Sequence, residues 1–505
     1  MLEIDGHHLT LEDVERVARG LETDVAIAPA ACDAMDASRA VVERYLESGE
    51  AVYGVTTGFG RLSEVAIPKD QRLLMQENLI RSHASGFGEV LPAEISRTVM
   101  LLRANSLARG NSGIRRSVVE LLAAMLQHEI HPVIPEFGSV GASGDLAPLS
   151  HIALCLIGEG TIHGDAGPEP AGPAMDRAGL APAELREKEG LALINGTQAT
   201  TGIGVLALLD AEAAVETAEL AGAMSLEGLK GTPSPFDAKV HDNRPHPGQV
   251  TSAARLRGLL ADSEIRESHR HDDPRIHDAY SLRCMPQVHG AAREVMTYVR
   301  KVLETEINAS TDNPLVFAES GEIISAGNFH AQIVAGALDF LTMACTDLAS
   351  ISQQRIERLL NPDLSRLPAF LAHDPGVESG FMIAQVAVVD VLSEMRVLSH
   401  PASVDSVTTS ANKEDHVSMG MEAARKARRA VSCLQYVLAV ELMCSAQALE
   451  FLKPLRPGVG VSAGYELVRR HVEPLTGDRV LSGDIESLHD RVAAGAFRDI
   501  VLGMK

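Results

Sequence analysis

The sequence predicts a mainly α-helical protein, built as a bundle of long helices with a smaller mixed part towards the N-terminus. Two observations support this prediction. Apolar residues recur mostly three and four positions apart, which is the spacing of one face of an α-helix. Alternating patterns typical of strands are few and short. Long helices with apolar faces bury those faces against one another, so a helix-bundle architecture follows.

Each long helix is marked by its own pattern along the chain. Helical patterns follow the start signal Ser112-Gly113 (Val118, Leu121, Leu122, Met125), form a stripe (Val334, Leu338, Leu341, Cys345, Leu348), and cover residues 385–398 and 423–451. Two stretches, 164–182 and 233–249, are rich in Gly, Pro or polar residues and are expected to be loops, but neither resembles a domain linker. We therefore expect a single domain over residues 1–505, with an N-terminal part to about residue 200 and a long-helix part over 201–505.

Composition argues against several classes of function. A net charge of −23, the absence of tryptophan and an aromatic content of 3% argue against a nucleic-acid-binding surface. The first residues lack the basic and apolar regions of a signal peptide, and no stretch of about 20 apolar residues is free of charge, so no transmembrane helix is expected. Six cysteines without CxxC pairs fit free thiols in a reducing compartment. We therefore expect a cytoplasmic protein without nucleic-acid or membrane partners.

Two short motifs resemble binding sites by composition alone. The run His269-Arg270-His271-Asp272-Asp273 contains metal-ligating residue types, but no partner motif supports a site, so no metal is expected. The glycines at 458, 460 and 464 imitate a dinucleotide-binding loop, yet they follow two prolines rather than a strand, which argues against that function.

The most informative stretch is the loop over residues 138–148, in which Ala142-Ser143-Gly144 is flanked by further glycines. Gly144 has no Cβ, so its nitrogen can approach the Ala142 carbonyl closely. Attack of that nitrogen would close a five-membered ring. Loss of two waters, one of them from the Ser143 hydroxyl, would then leave an electrophilic methylidene on an imidazolone. Two simpler interpretations are a glycine-rich turn that caps a helix at Asp145 and a serine nucleophile at Ser143.

This loop resembles that of the aromatic amino acid ammonia-lyase and aminomutase family, which carries a 4-methylidene-imidazol-5-one group. Further blocks resemble the family in order and spacing from about Tyr53 to Gly420. The resemblance implies that the group forms from Ala142-Ser143-Gly144 without an external cofactor, within an ammonia-lyase/fumarase-like helical fold. Together with the long apolar stripes, it also implies a homotetramer whose active sites are shared between subunits.

Deamination with loss of a β-proton needs an electrophile for the amine, a base for the proton and a cation for the carboxylate. By resemblance, Tyr53 lies on a mobile glycine-rich lid and is a candidate base, which requires a pKa well below about 10. Asn195 is expected to hold the ring carbonyl, and Phe329 to pack beside the loop. Tyr280, a second candidate catalytic residue, and Arg283 are three residues apart and would share a helix face. The Arg283 guanidinium suits a substrate carboxylate.

The pair Ser82-His83 resembles that of the histidine-specific members of the family. Glu414 resembles an acidic residue at the substrate side-chain end of the pocket. Together His83 and Glu414 can hydrogen-bond both nitrogens of an imidazole. The resemblance therefore implies that L-histidine is converted to trans-urocanate and ammonia, the first step of histidine degradation. An aminomutase and a lyase for another aromatic amino acid remain alternatives, because lyases and aminomutases share the first half-reaction.

Two positions depart from the family pattern. Relatives carry Gln where this chain has His277, and commonly Gln where it has Lys413. A neutral histidine still donates one hydrogen bond, so His277 remains a candidate for polarising the electrophile. Two other classes also stay open. One is a catalytically inactive helical protein, and against it stands the presence of these expected residues: Ala142-Ser143-Gly144, Tyr53, Asn195, Tyr280, Arg283, Phe329 and Glu414. The other is a hydrolase using Ser143, for which no His/Asp partner motif is identified.

Overall fold

A computed structural model describes residues 1–48, 67–271, 273 and 275–503. This part of the chain is mainly helical, which confirms the predicted fold class. Its helices are α1 (Leu11–Ala18), α2 (Pro29–Ser48), α3 (Arg72–His83), α4 (Ala93–Ala108), α5 (Arg116–Gln127), α6 (Leu146–Leu156), α7 (Ala171–Arg177), α8 (Glu189–Ile194), α9 (Gln198–Gly228), α10 (Ala238–Asp242), α11 (Pro247–Leu259), α12 (Glu264–Glu267), α13 (Tyr280–Arg283), α14 (Met285–Glu306), α15 (Gln332–Leu360), α16 (Pro362–Ser365), α17 (Met382–Leu398), α18 (Gly420–Glu450), α19 (Val459–Arg469), α20 (Ser482–Ala493) and α21 (Arg498–Leu502).

The strands are short and pair two by two. They are β1 (Leu2–Ile4), β2 (Val25–Ile27), β3 (Phe87–Val90), β4 (Pro135–Phe137), β5 (Thr161–Ile162), β6 (Glu169–Pro170), β7 (Leu315–Phe317) and β8 (Glu322–Ile324). The pair β1–β2 is parallel, whereas β3–β4, β5–β6 and β7–β8 are antiparallel. Most of these strands precede residue 171, in agreement with the predicted mixed part towards the N-terminus.

The described chain divides into two compact units, each assembled from three stretches. Unit 1 comprises residues 1–206, 300–338 and 401–425, and unit 2 comprises 207–299, 339–400 and 426–505. Four of the five boundaries fall within α9, α14, α15 and α18, so these helices contribute residues to both units, and the fifth follows α17. The expectation of one domain over residues 1–505 stays a prediction.

The predicted helical patterns correspond to observed helices with buried apolar faces. The stripe along α15 is fully buried at all five positions: Val334, Leu338, Leu341, Cys345 and Leu348. The helices expected at 385–398 and 423–451 are α17 and α18, each of which begins three residues earlier. The pattern after Ser112-Gly113 is α5. Residues spaced by three and four positions therefore predicted both the helices and the sides that they bury.

Both stretches that were expected to be loops contain helices, so that prediction was wrong. Helix α7 begins directly after Pro170, and the stretch 233–249 holds α10 and the start of α11. Proline lacks an N–H and has φ fixed near −65°, so at the first turn it begins a helix instead of breaking one. Pro247 occupies this position in α11.

Two helices, α15 and α18, are long and apolar enough to cross a membrane by length and composition alone. Their most apolar windows are 61% and 89% buried inside the protein, respectively. Core helices of globular proteins pass the same test, because a helix that is apolar on most sides can be covered by other helices.

A buried ion pair ties together three helices of unit 2. Arg355 on α15 and Glu441 on α18 are both fully buried, with Nε donating to Oε1 at 2.5 Å and Nη2 to Oε2 at 2.9 Å. Ser225 of α9 donates to Oε1 at 2.7 Å, and Ser352 donates to Oε2. Both carboxylate oxygens therefore have charged and neutral donors, as a buried charge requires.

Removing one partner of this pair would leave the other charge buried and unpaired. We expect Glu441→Gln to lower the free energy of unfolding by about 3–5 kcal/mol. The matched control is Glu394→Gln, because Glu394 pairs with Arg429 where the two side chains are 42% and 54% exposed. An exposed pair contributes only about 0–1 kcal/mol. Chemical unfolding followed by circular dichroism would measure both variants, and equal shifts in midpoint would contradict the assignment.

Candidate active site

The glycine-rich loop follows β4 and leads into α6. Within it Ser143 and Gly144 both have positive φ, of 54° and 79°, and the Gly144 nitrogen donates to the Gly141 oxygen at 3.2 Å. A Cβ on Gly144 would lie 2.2 Å from the backbone oxygen of Gly196. Both the positive φ and the close approach of two backbones therefore require glycine at position 144.

Asn195 and Gly196 hold this loop from the turn between α8 and α9. The Asn195 Nδ2 donates to the Ser143 backbone oxygen at 2.9 Å. The Asp145 nitrogen donates to the Gly196 oxygen at 2.7 Å. The loop is thus bonded to the turn on both sides of Gly144. The Asn195 amide therefore lies on the Ser143 carbonyl oxygen, and its expected role at a ring carbonyl stays a prediction.

The carboxylate of Asp145 makes a contact that the sequence did not indicate. Asp145 precedes α6 but forms no capping bond to it. Instead it accepts hydrogen bonds from Thr200 N at 2.7 Å and Thr200 Oγ1 at 2.9 Å, at the start of α9. Burial raises its pKa to about 6, while the bonds from Thr200 and from Ser139 oppose that rise. The sequence offered Asp145 only as a residue after Gly144 that could cap a helix, and not as a partner of Thr200.

Glu414 contacts the same loop from a distant part of unit 1. Its Oε1 accepts from Ser143 Oγ at 2.9 Å, and its Oε2 accepts from Thr409 Oγ1 at 2.9 Å. The Thr409 nitrogen also donates to the Glu414 backbone oxygen at 2.8 Å, which closes a short turn around the carboxylate. A carboxylate is therefore fixed on the Ser143 hydroxyl. The sequence predicted a role for Glu414 but did not predict this contact.

His83 is the last residue of α3, in the segment that leads to β3. Phe87 of β3 pairs with Phe137 of β4, so the chain after His83 runs beside the start of the glycine-rich loop. A Cβ on Gly138 would lie 3.1 Å from Gly86 Cα. The His83 Nδ1 lies 2.8 Å from the Leu79 backbone oxygen, which leaves Nε2 as the hydrogen-bond acceptor of a neutral ring.

Phe329 lies between β8 and α15 and is partly buried. The next residue, His330, contacts the segment that contains Glu414: its Nε2 lies 3.1 Å from the His416 oxygen, and the two rings stack with centroids 5.9 Å apart. The loop of Phe329 is therefore packed against the loop of Glu414.

Tyr280, Arg283 and His277 belong to unit 2. Tyr280 and Arg283 form the ends of α13, and the guanidinium carbon lies 4.7 Å from the centre of the tyrosine ring, as their spacing predicts. Tyr280 is 70% exposed. Within the described chain the buried Arg283 Nε has no hydrogen-bond partner and no carboxylate forms an ion pair with it. His277 is exposed and contacts the Asp278 oxygen at 3.3 Å.

Tyr53 lies outside the described residues. Lys413 is exposed. His269 directs its two ring nitrogens at backbone oxygens, of Ile265 at 2.7 Å and Gly231 at 3.3 Å. Over the described ranges no group of three or more His, Cys, Asp or Glu side chains could hold a metal ion.

Known proteins resemble this chain in sequence over nearly its whole length. The pattern of the family described as aromatic amino acid lyase matches residues 9–470. A protein named histidine ammonia-lyase from Anaeromyxobacter dehalogenans (strain 2CP-C) is 53% identical, with 98% of this chain and 99% of that protein covered. The protein of the same name from Myxococcus xanthus (strain DK1622) is 52% identical, with 97% and 96% covered.

Two solved structures resemble this chain in fold over its whole length. Histidine ammonia-lyase from Trypanosoma cruzi matches with a TM-score of 0.92 and 40% identity, covering 100% of this chain and 95% of that one. Tyrosine aminomutase from Streptomyces globisporus matches with a TM-score of 0.94 and 39% identity, covering 100% and 99%. The predicted ammonia-lyase fold and enzyme class, a carbon–nitrogen ammonia-lyase, are confirmed. The chain belongs to the aromatic amino acid lyase family.

Proposed function

We propose that this protein is a histidine ammonia-lyase, which converts L-histidine to trans-urocanate and ammonia without oxidation. The observation that carries the proposal is the pair of contacts on Ser143, from Asn195 Nδ2 to its backbone oxygen and from its Oγ to Glu414, each at 2.9 Å. The names of relatives that are 52–53% identical over nearly the whole chain support the same activity. The likeness to a tyrosine aminomutase keeps an aminomutase as the second candidate.

The residues present fit a methylidene-imidazolone formed from Ala142, Ser143 and Gly144. The positive φ at Gly144 and its approach to Gly196 give the tight loop that ring closure needs. When present, the group supplies an electrophilic carbon for the substrate amine. Asn195 would hold the oxygen conjugated with that carbon, in the way that a preorganised donor stabilises developing negative charge.

Glu414 would gain a free acceptor when the Ser143 hydroxyl is lost. Its Oε1 receives its hydrogen bond from that hydroxyl, whereas Oε2 remains bonded to Thr409. An ionised carboxylate accepts hydrogen bonds readily from an imidazole N–H. We propose that Oε1 of Glu414 and Nε2 of His83, both acceptors, bind the two N–H groups of the substrate ring in its protonated form.

We propose the roles of the remaining site residues from the resemblance to the aromatic amino acid ammonia-lyase and aminomutase family. Arg283, which lacks an anionic partner in the described chain, would bind the substrate carboxylate, and Tyr53 and Tyr280 would serve proton transfer. His277 would donate a hydrogen bond that polarises the electrophile, and Phe329 would pack beside the loop. We place the enzyme in the cytoplasm, without nucleic-acid or membrane partners, because all six cysteines are free thiols and the net charge is −23.

We further propose a homotetramer with shared active sites. Four exposed apolar residues follow one another along α17: Ile383, Val386, Val389 and Val397. Apolar faces of this kind mark association surfaces, and a second copy of the chain is the occupant that the family resemblance implies.

Light scattering would test the assembly. We expect the parent to behave as a tetramer, and the double variant Val386→Glu/Val389→Glu to dissociate, because two charges would be buried without partners. Leu21→Glu is the control, since Leu21 is an exposed apolar residue that follows α1. A fully active monomer would contradict the proposed assembly.

The ring can be tested by intact mass. The parent chain should be lighter than its encoded sequence by two waters, whereas Gly144→Ala should retain the full mass, because a Cβ would meet the Gly196 oxygen. Gly336→Ala is the control, since nothing lies within 4 Å of a Cβ there. A parent chain of full encoded mass that still turns over histidine would refute the ring.

The substrate assignment can be tested by product analysis with L-histidine. Urocanate absorbs in the near ultraviolet, whereas a β-amino acid from an aminomutase does not. His83→Leu should lower kcat/KM for histidine roughly tenfold, the effect of one lost hydrogen bond, and affect phenylalanine turnover less. Arg283→Lys should lower both alike, because lysine cannot make a bidentate contact. Unchanged histidine kinetics in His83→Leu would refute the ring-binding role but not the family.

A further inference from the structure

Arg103 is a buried guanidinium to which the proposed reaction assigns no role. It lies in α4, and only 1% of it is exposed. Its Nη1 donates to Gln198 Oε1 at 2.8 Å, and its Nη2 donates to the Ala192 backbone oxygen. Gln198 passes the connection on, because its Nε2 donates to Thr311 Oγ1 at 2.8 Å.

The two bonds of Arg103 lie on either side of the turn that carries Asn195. Ala192 is in the last turn of α8, where carbonyl groups lack a partner within the helix. Gln198 is the first residue of α9. Between them Gly196 has no side chain, and a Cβ there would lie 2.6 Å from Arg103 Nη1. The Arg103 guanidinium therefore lies directly against Gly196 and bonds to both ends of the turn, at Ala192 and Gln198.

Its surroundings offer Arg103 little compensation for its charge. Burial lowers the pKa of Arg103 to about 10, opposed only by the attraction of Asp312. Asp312 is itself paired with Lys188 at 2.6 Å. The Arg103 Nε has no partner in the described chain. Neutral acceptors compensate poorly for burying a cation, so fold stability alone gives little reason for an arginine here.

We propose that Arg103 is a positioning residue for the glycine-rich loop. It joins the end of α8 to the start of α9 and thereby holds the Asn195 amide on the Ser143 oxygen. This inference rests on the proposed ring chemistry. It predicts that loss of the guanidinium fork impairs ring formation and the chemical step while leaving substrate binding nearly intact.

The test uses Arg103→Lys and Arg103→Met in the full-length protein. Lysine keeps the charge but cannot bond both acceptors with one planar fork, and methionine removes the charge. We expect a smaller fraction of chains lighter by two waters. Among ring-bearing chains, kcat for L-histidine should fall about 10²-fold with little change in KM, the effect of misplacing a group by about 1 Å. The matched control is Arg97→Lys, because Arg97 lies on the same helix and donates to the Ala18 backbone oxygen, away from the loop.

Each outcome decides the proposal. Arg103→Lys with the parental circular dichroism, mass loss and kcat would overturn it. Failure of both Arg103 variants to fold, with Arg97→Lys folded, would show that Arg103 stabilises the fold and would also overturn it. A parent chain of full encoded mass would refute the ring and this role together. A parent that forms the ring but does not turn over histidine would refute only the substrate, and the mass comparison would still decide the role of Arg103.

Discussion

The backbone of Gly144 lies against the backbone of Gly196, and the arrangement of the candidate site in unit 1 depends on that approach. It brings the Asp145 nitrogen to the Gly196 oxygen and the Asn195 amide to the Ser143 oxygen. Neither bond could form if a side chain separated the two segments. A loop and a turn that are 52 residues apart at Ser143 and Asn195 are therefore joined by two hydrogen bonds.

The start of α9, two residues after Gly196, binds two carboxylates. The carboxylates of Asp145 and Glu306 accept hydrogen bonds from Thr200 and Thr197 at this helix end. Free N–H groups and the helix dipole favour anions there. Burial nevertheless raises the pKa of both carboxyl groups, with Asp145 at about 6. Because the folded pKa of Asp145 lies above its ordinary value near 3.9, its contribution to stability falls as pH rises from about 4 to about 6.

Patterns within a short window of sequence predicted several of the long helices and singled out the glycine-rich loop. The spacing of apolar residues predicted α15, α17 and α18, and the Ala142-Ser143-Gly144 run drew attention to the glycine-rich loop. Proline-rich stretches were misjudged, because proline also occurs at helix starts: Pro170 directly precedes α7 and Pro247 is the first residue of α11.

Patterns within a short stretch of sequence did not predict which distant residues form hydrogen bonds with each other in the fold. Nothing near Asp145 in the sequence points to Thr200, and nothing near Arg103 points to Gln198, 95 residues away. These contacts arise from tertiary packing, which brings helix ends together that no local spacing relates. Residue types could suggest that a buried Arg or Asp needs a partner, but only the folded chain identifies it.

Ser143 and Glu414 are 271 positions apart in the chain, and this separation has a consequence for how the protein is made. During synthesis the loop emerges long before the carboxylate that fixes the Ser143 hydroxyl, and before the turn at Asn195 that fixes its carbonyl. If the proposed ring forms only in the folded protein, a nascent or misfolded chain would carry an ordinary Ala-Ser-Gly peptide in place of a reactive electrophile. Reactivity would then be a property of the finished fold, and incomplete chains would not alkylate the thiols and amines around them.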